Sequence, residues 1–309
     1  MKTARIYIIA GICLIVGIII IASAFAFGGF DFLKMGSEQK YTEKSFVSSK
    51  AISQIKIDDS NVGVNFSKSP DDKIHITYFE NDKNYYEITE NDDGMLNIIK
   101  VNNYKWYDYI FNINFQSISL NVSVPSSFNG KIDTSTSNAN IYLKDVNTSD
   151  IVFDTSNNKV EINNSSISGR AEIKSSNGEI RLTNSTFGGD LNAKTSNSSI
   201  TLENISGKEI FSETSNGKIN LSSVKSSSNV TARTSNSRIS LNNVDAAKKL
   251  ECKSSNGDIS GRVIGSIRDF SIYSHTSNGK SNLPSNMGGG EKVLDISTSN
   301  ASIDISFSE

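Results

Sequence analysis

The sequence predicts an all-β chain, a parallel β-helix (β-solenoid) with ~20-residue coils, preceded by one N-terminal transmembrane helix. Three observations predict it. The tripeptide Thr/Ser-Ser-Asn occurs nine times, with its asparagine at Asn138, Asn157, Asn177, Asn197, Asn216, Asn236, Asn256, Asn278 and Asn300, at intervals of 19, 20, 20, 19, 20, 20, 22 and 22. Apolar residues stand two apart on both sides of these asparagines. The chain also opens on an apolar run, Ile6 to Phe27, that holds no charged residue.

That run comes first in the chain. As a helix it reaches roughly 33 Å, enough for a hydrocarbon core of about 30 Å. A cleaved signal peptide is the competing reading, because Ala22-Ser23-Ala24 and Ala24-Phe25-Ala26 offer small residues to a peptidase. The apolar run exceeds the roughly 7–15 residues of a signal core, which favours an uncleaved anchor. Lys2 and Arg5 precede it, so residues 1–5 are expected in the cytoplasm, 6–27 in the membrane and everything from about residue 31 outside. Residues 28–45, beginning Gly28-Gly29, read as a linker. Cys13 reads as an apolar filler within the span. Cys252 is then the one exported thiol, so no disulfide framework holds the exported part, a usage that fits a Gram-positive surface protein.

Residues 46–128 read as irregular capping strands of the solenoid. Strand-like alternation continues in Ile52–Ile57, Val62–Phe66, Ile74–Phe79, Met95–Val101 and Ile118–Val124, and Asp59-Ser60-Asn61 looks like a degenerate coil corner. Residues 41–125 hold 13 of the 26 aromatics, among them Tyr85, Tyr86, Tyr104, Trp106, Tyr107 and Tyr109. The aromatics at 104–115 read as cap core in preference to a sugar or partner platform. A cap is needed because an open solenoid end exposes unpaired strand edges.

Residues 129–309 are the regular solenoid. Six positions before each asparagine stand Ile132, Ile151, Ala171, Leu191, Ile210, Val230, Leu250, Ile272 and Leu294. Three after it stand Ile141, Val160, Ile180, Ile200, Ile219, Ile239, Ile259, Ser281 and Ile303. A second, smaller or apolar residue lies two further along on each side, which is strand periodicity with one face inward. Only three prolines interrupt the chain, so continuous ladders can form. Nine coils about 4.8 Å apart make a rod of roughly 43 Å. Parallel crossovers predict a right-handed coil. The asparagines read as a structural ladder, since Asn tolerates left-handed turn geometry and its amide can bond to the next coil. The Thr/Ser two positions earlier is in phase with the apolar columns and is expected to face inward. In the eighth repeat Ser281 replaces the usual Ile, which predicts a weaker coil before the Gly-rich 286–290 turn.

Chemistry is sparse. The two histidines, His75 and His275, give no Ser/His/Asp grouping, and the net charge of −2 argues against a nucleic-acid partner. Asp58-Asp59 and Asp71-Asp72 are the nearest approach to paired carboxylates and read as solvated loop charges. Asp92-Asp93-Gly94 lacks a calcium-loop pattern, and Gly288-Gly289-Gly290 has neither the Lys nor the helix of a phosphate loop. No catalytic, cofactor-binding or metal residue is assigned, and no cofactor is expected. One outward column places Lys174, Lys194, Arg233 and Lys253 on successive coils, a weak basic stripe suited to anionic wall polymer or lipid headgroups. Glu172 and Glu251 beside it favour a mixed-charge solvated face instead.

The anchor, the Val122-Ser123-Val124-Pro125 segment and units such as Ser176-Asn177-Gly178-Glu179-Ile180-Arg181-Leu182 and Ser215-Asn216-Gly217-Lys218-Ile219-Asn220-Leu221 resemble the bacterial "putative adhesin" family. That family was long catalogued as a domain of unknown function and includes the Lia-type envelope-stress proteins. The resemblance covers roughly residues 45–309. It implies a surface β-solenoid and carries over no site residue. The expected function is a membrane-anchored extracytoplasmic solenoid, serving as an adhesin-like binding or envelope-stress scaffold protein. Its expected partners are the membrane through 6–27 and a cell-wall polymer or another envelope protein, with no nucleic acid and no small-molecule cofactor. The alternative is a polysaccharide lyase or glycoside hydrolase, since parallel β-helices host such enzymes. An ice-binding solenoid is disfavoured, because Thr forms a single inward column.

Overall fold

The computed structural model describes residues 2–27, 40–103 and 118–308. The chain divides into two units, residues 1–41 with 103–116 and residues 42–102 with 117–309. The first contains the α-helix Lys2–Phe27. Its side chains are described for residues 7, 10–23 and 26. Among the described residues no helix is long and apolar enough to cross a membrane. The aromatics at 104–115 lie outside the described residues.

The second unit is a β-solenoid of two long sheets, one of 14 strands and one of 13. One coil shows how the sequence builds it. Strand Ile210–Thr214 lies in the 13-stranded sheet, the chain turns at Ser215-Asn216-Gly217, and strand Ile219–Ser226 crosses into the other sheet. Each strand pairs in parallel with its equivalents one coil away, so Ile200, Ile219 and Ile239 stack in register, as do Leu191, Ile210 and Val230. These stacked side chains are fully buried and form one continuous core with Phe66, Phe153 and Phe270. Like residue over like residue removes apolar area from water on every coil, which a lone coil cannot do.

A second corner lies between short strands in the first two coils and within the longer strands of the next four. Asp145, Asn164, Asn184, Asn204, Ser223 and Asn243 all have positive φ, between 48° and 58°. Asn and Asp tolerate this conformation better than other side chains that carry a Cβ. In the next coil the corner is rebuilt. The register slips between Leu241 and Val244, and Gly261 takes φ +136° with its backbone so near Leu241 that a Cβ would sit 1.8 Å from the Leu241 carbonyl oxygen.

The stacking order departs from chain order at both ends. Strands Lys292–Thr298 and Ile303–Ser308 pair with Lys249–Lys253 and Ile259–Ile264, so the last coil inserts beside the seventh. The eighth, Phe270–Thr276, pairs beyond it. At the other end strands Gln54–Asp58 and Gly63–Lys68 lie between the first Asn138 coil and the strands Met95–Asn102 and Ser119–Val124. The 270–284 coil suits an outer position. It carries Pro284, which cannot donate to a further ladder, and Ser281, which is exposed where the other coils bury Ile. Antiparallel strands finish the ends: Thr42–Val47 on His75–Glu80, Asn84–Glu90 on Met95–Asn102, and Asn286–Met287 on Ile272–Tyr273. The first of these begins within the segment 28–45.

Candidate functional site

The corner asparagines line up. Asn138 Nδ2 donates to Asn61 Oδ1 at 2.9 Å, Asn157 to Asn138 at 2.7 Å, and Asn177 to Asn157 at 2.8 Å. Asn197, Asn216, Asn236 and Asn256 continue the file at 2.7–2.8 Å. Asn300 then donates to Asn256 and Asn278 to Asn300, both at 2.7 Å. Every amide donates the same way along the stack, and Asn61 joins as a tenth member. A second file runs just inside it. The Thr155, Thr195, Thr214, Thr234, Thr298 and Thr276 hydroxyls each donate to the carbonyl after the asparagine of the adjoining coil, at 2.8–3.2 Å. Most of these threonines are buried, so this file satisfies backbone carbonyls that water does not reach.

The cations of the outward column all stand beside carboxylates. Lys174 meets Glu172 at 2.5 Å, Lys194 meets Glu213 at 3.6 Å, Arg233 meets Glu251 at 2.5 Å, and Lys253 lies 3.5 Å from both Glu251 and Asp295. Glu251 gathers the group, with Lys249 at 2.7 Å, and its side chain is 8% exposed. Burial alone raises a carboxyl pKa, but hydrogen bonds from Lys249 and Arg233 outweigh it and hold Glu251 at about 2. The column is a charge-compensated face, poorly suited to draw in a polyanion.

The other sequence candidates stay apart. His75, the first residue of its strand, bonds to Asp71 at 2.7 Å, and His275, exposed near the end of strand Phe270–Thr276, lies 3.4 Å from Ser277 Oγ. Cys252 is wholly buried, and desolvation pushes its thiol pKa up, which makes it inert. Among the described residues no group of three or more His, Cys, Asp or Glu is placed to hold a metal ion.

Sequence reasoning missed a polar cluster at the N-terminal end of the stack. Asp59 stands two before Asn61, where other coils have Thr or Ser, and it is 2% exposed. Its Oδ1 accepts from the Asn61 and Val62 backbone N–H groups at 2.8 and 2.9 Å, and its Oδ2 accepts from the Tyr86 hydroxyl. Tyr86 lies opposite Lys100 in the antiparallel pair, and the Lys100 Nζ sits 3.9 Å above its ring. That buried Nζ has no hydrogen-bond partner among the described residues, and desolvation lowers its pKa to about 8, against the pull of Asp59 and Glu80. The signal was present in the sequence, because Lys100 follows Leu96 and Ile98 in the inward phase of its strand.

A groove of about 470 Å³ opens on the second corner. Asn184, Asn204, Ser223 and Asn243 supply one wall from four successive coils, Lys225 and Asp245 stand beside them, and the half-buried Ile264 adds apolar surface, with Ile205 and Val224 buried behind it. The Asn184 and Asn204 amides close on each other at 2.9 Å, whereas the Asn243 side chain makes no hydrogen bond among the described residues. Asp245 pairs with Lys292 at 3.2 Å, and Lys225 has no ion-pair partner among the described residues.

The profile of the Toastrack DUF4097 family matches residues 52–306. The chain belongs to the Toastrack DUF4097 family. The family expected from the Ser-Asn-Gly-x-Ile-x-Leu units is therefore the one found. This Toastrack chain is similar to the crystal structure of a "putative adhesin" from Bacteroides fragilis, at 12% identity and TM-score 0.44, over 88% of this chain and 100% of that one. It is also similar to a "putative adhesin" from Parabacteroides merdae, at 16% identity and TM-score 0.40, over 88% and 98%. A third, from Parabacteroides distasonis, matches at 15% identity and TM-score 0.39, over 88% and 98%. No curated protein matches the chain.

Proposed function

We propose that the chain is a membrane-anchored, extracytoplasmic β-solenoid that presents a polar binding surface in the cell envelope. The observation that carries this is the uncharged run Ile6 to Phe27 behind Lys2 and Arg5, joined through residues 28–39 to a chain of stacked coils. A run of that length and composition is stable in hydrocarbon as a helix, since the helix satisfies its own backbone polar groups. The preceding cations orient it with the solenoid outside. The solenoid then offers long, regular faces of Ser, Thr, Asn and paired charges, suited to holding an extended partner such as a cell-wall polymer or another envelope protein. The "putative adhesin" descriptions of its structural neighbours agree with a binding role, and a scaffold role under envelope stress fits the same placement.

Fractionation tests the proposal. A C-terminally tagged chain should stay with the membrane after high-salt and alkaline washes. Protease added to intact cells should remove the tag. A chain released by the washes, or a tag protected in intact cells, would overturn the reading.

A further inference from the structure

We propose that the groove over Ser223 binds an acidic saccharide, a sugar unit carrying one carboxylate, seated along the stack of coils. The proposal rests on reading the chain as an envelope-binding protein, and it names the place and the ligand class. It begins with an interruption in a repeat. The second corner is occupied by Asp145, Asn164, Asn184, Asn204, Ser223 and Asn243, all with positive φ. Two adjoining pairs close on each other: Asn164 donates to the Asp145 carboxylate, and Asn204 donates to Asn184 at 2.9 Å, whereas Asn164 and Asn184 make no side-chain bond to each other. At Ser223 the amide is missing. The shorter side chain leaves open space, and the groove of about 470 Å³ lies there.

The groups left facing that space are unpaired. Asn204 Oδ1 accepts no side-chain hydrogen bond and the Asn243 amide makes none among the described residues, although both line the groove. Two coils separate them, about 9.6 Å at one strand spacing per coil, which leaves room for a ring-sized group between. Ser223 and Ser206 add hydroxyls, and the half-buried Ile264 adds apolar surface against which sugar C–H groups can lie. Lys225 supplies charge. It lies opposite Asp245 in the parallel register, but Asp245 is taken by Lys292 at 3.2 Å, which leaves the Lys225 ammonium without a carboxylate among the described residues. Amide acceptor and donor, hydroxyls, a short apolar surface and one uncompensated cation match a polyhydroxylated ligand with one negative charge. The face of Lys174, Lys194, Arg233 and Lys253 offers no such vacancy, since each of those cations already has a carboxylate.

Calorimetric titration of the full chain in detergent micelles tests this, with oligogalacturonate as the acidic probe and a cello-oligosaccharide of equal length as the neutral one. The acidic probe should bind, and the neutral probe should bind at least tenfold more weakly. Lys225→Ala should weaken binding of the acidic probe at least tenfold. Ser223→Asn restores the amide at a position whose backbone already suits Asn, so it should close the groove and lose binding at least tenfold while the melting temperature holds or rises. No binding of the acidic probe, or binding that survives Ser223→Asn in a folded protein, would overturn the site. Equal binding of the two probes would overturn the acidic class. Fractionation separates this from the anchoring proposal. A surface-exposed chain that ignores oligogalacturonate defeats only the site, and a released chain that binds it defeats only the anchor.

Discussion

Asn300 donates its side-chain amide to Asn256, 44 positions earlier, at 2.7 Å. Asn278, which lies between them in the chain, donates instead to Asn300. The final coil is therefore threaded beneath the one before it. The end of the solenoid must form as a unit, because the 270–284 coil finds its ladder only after the last residues are in place.

Disulfide trapping checks this order. Ser299 and Ser255 adjoin, with the Ser299 N–H donating to the Ser255 carbonyl at 3.1 Å, so Ser255→Cys with Ser299→Cys should cross-link under mild oxidation. Adjoining coils lie about 5 Å apart, within disulfide reach, whereas Ser255→Cys with Ser277→Cys spans two coils and should stay reduced. Peptide mapping by mass spectrometry reads both. Efficient bridging of 255 to 277 would show that the coils stack in chain order.

The asparagine file should act in proportion to the bonds each member makes. Asn216→Ala removes a bond to Asn197 and one from Asn236, and should cost about 1–3 kcal/mol at roughly 0.5–1.5 kcal/mol per bond. Asn278→Ala ends the file, removes one such bond, and should cost about half as much. Denaturant unfolding of the two variants gives the comparison, and equal losses would deny the file an additive role.

Acid should weaken the Glu251 cluster. The folded-state carboxyl is held at about 2, below its ordinary value of 4.5, so its contribution is complete above about pH 4.5 and fades as pH falls towards 2. The size is on the order of 3 kcal/mol. Glu251→Gln should lower stability at pH 7 and flatten the stability profile between pH 4.5 and 2. An unchanged profile would mean that Arg233 and Lys249 contribute nothing through this carboxylate.

Lys100 should act in the opposite range. Its folded-state pKa of about 8 lies below the ordinary 10.5, so the folded state releases this proton first and stability rises between about pH 8 and 10.5. Lys100→Met keeps the stem over Tyr86 without the charge. It should stabilise the protein at pH 7 by on the order of 2–3 kcal/mol and remove that rise. Melting curves from pH 7 to 10.5 on both proteins decide it, and a variant less stable at pH 7 would show that the ammonium is favourably placed.

Ser223→Asn should also raise stability by a few tenths of a kcal/mol to about 1 kcal/mol, because Asn occupies left-handed geometry more readily than Ser. Thermal unfolding checks it without any ligand, and a lower melting temperature would count against open space at this corner.

The repeat was legible because each coil solves the same packing problem with the same residues. The period near 20, the alternation of Ile and Leu and the inward Thr column are local patterns, and local patterns survive in a linear string. Stacking order does not, since it depends on which edges remain unpaired once the other coils have formed. The residue after each corner asparagine shows the difference. In chain order Gly257 and Gly279 follow one another, but in the stack the sequence runs Gly178, Ser198, Gly217, Ser237, Gly257, Ala301, Gly279, alternating without a break. The reason is steric: a Cβ at Gly217 would lie 1.6 Å from the Ser198 carbonyl oxygen.

By itself the sequence determined the class of fold, the corner asparagines and the apolar run ahead of them, because periodicity and length are properties of the chain alone. Tertiary structure decided which coils adjoin, which cations of the outward column are already spent on carboxylates, and that Asp59, Tyr86 and Lys100 meet. It also placed Ser223 between Asn204, whose amide is turned to Asn184, and Asn243, whose side chain makes no hydrogen bond among the described residues. Most of these are relations between residues 14 or more positions apart, and only the register of neighbouring coils brings such residues within a few ångströms.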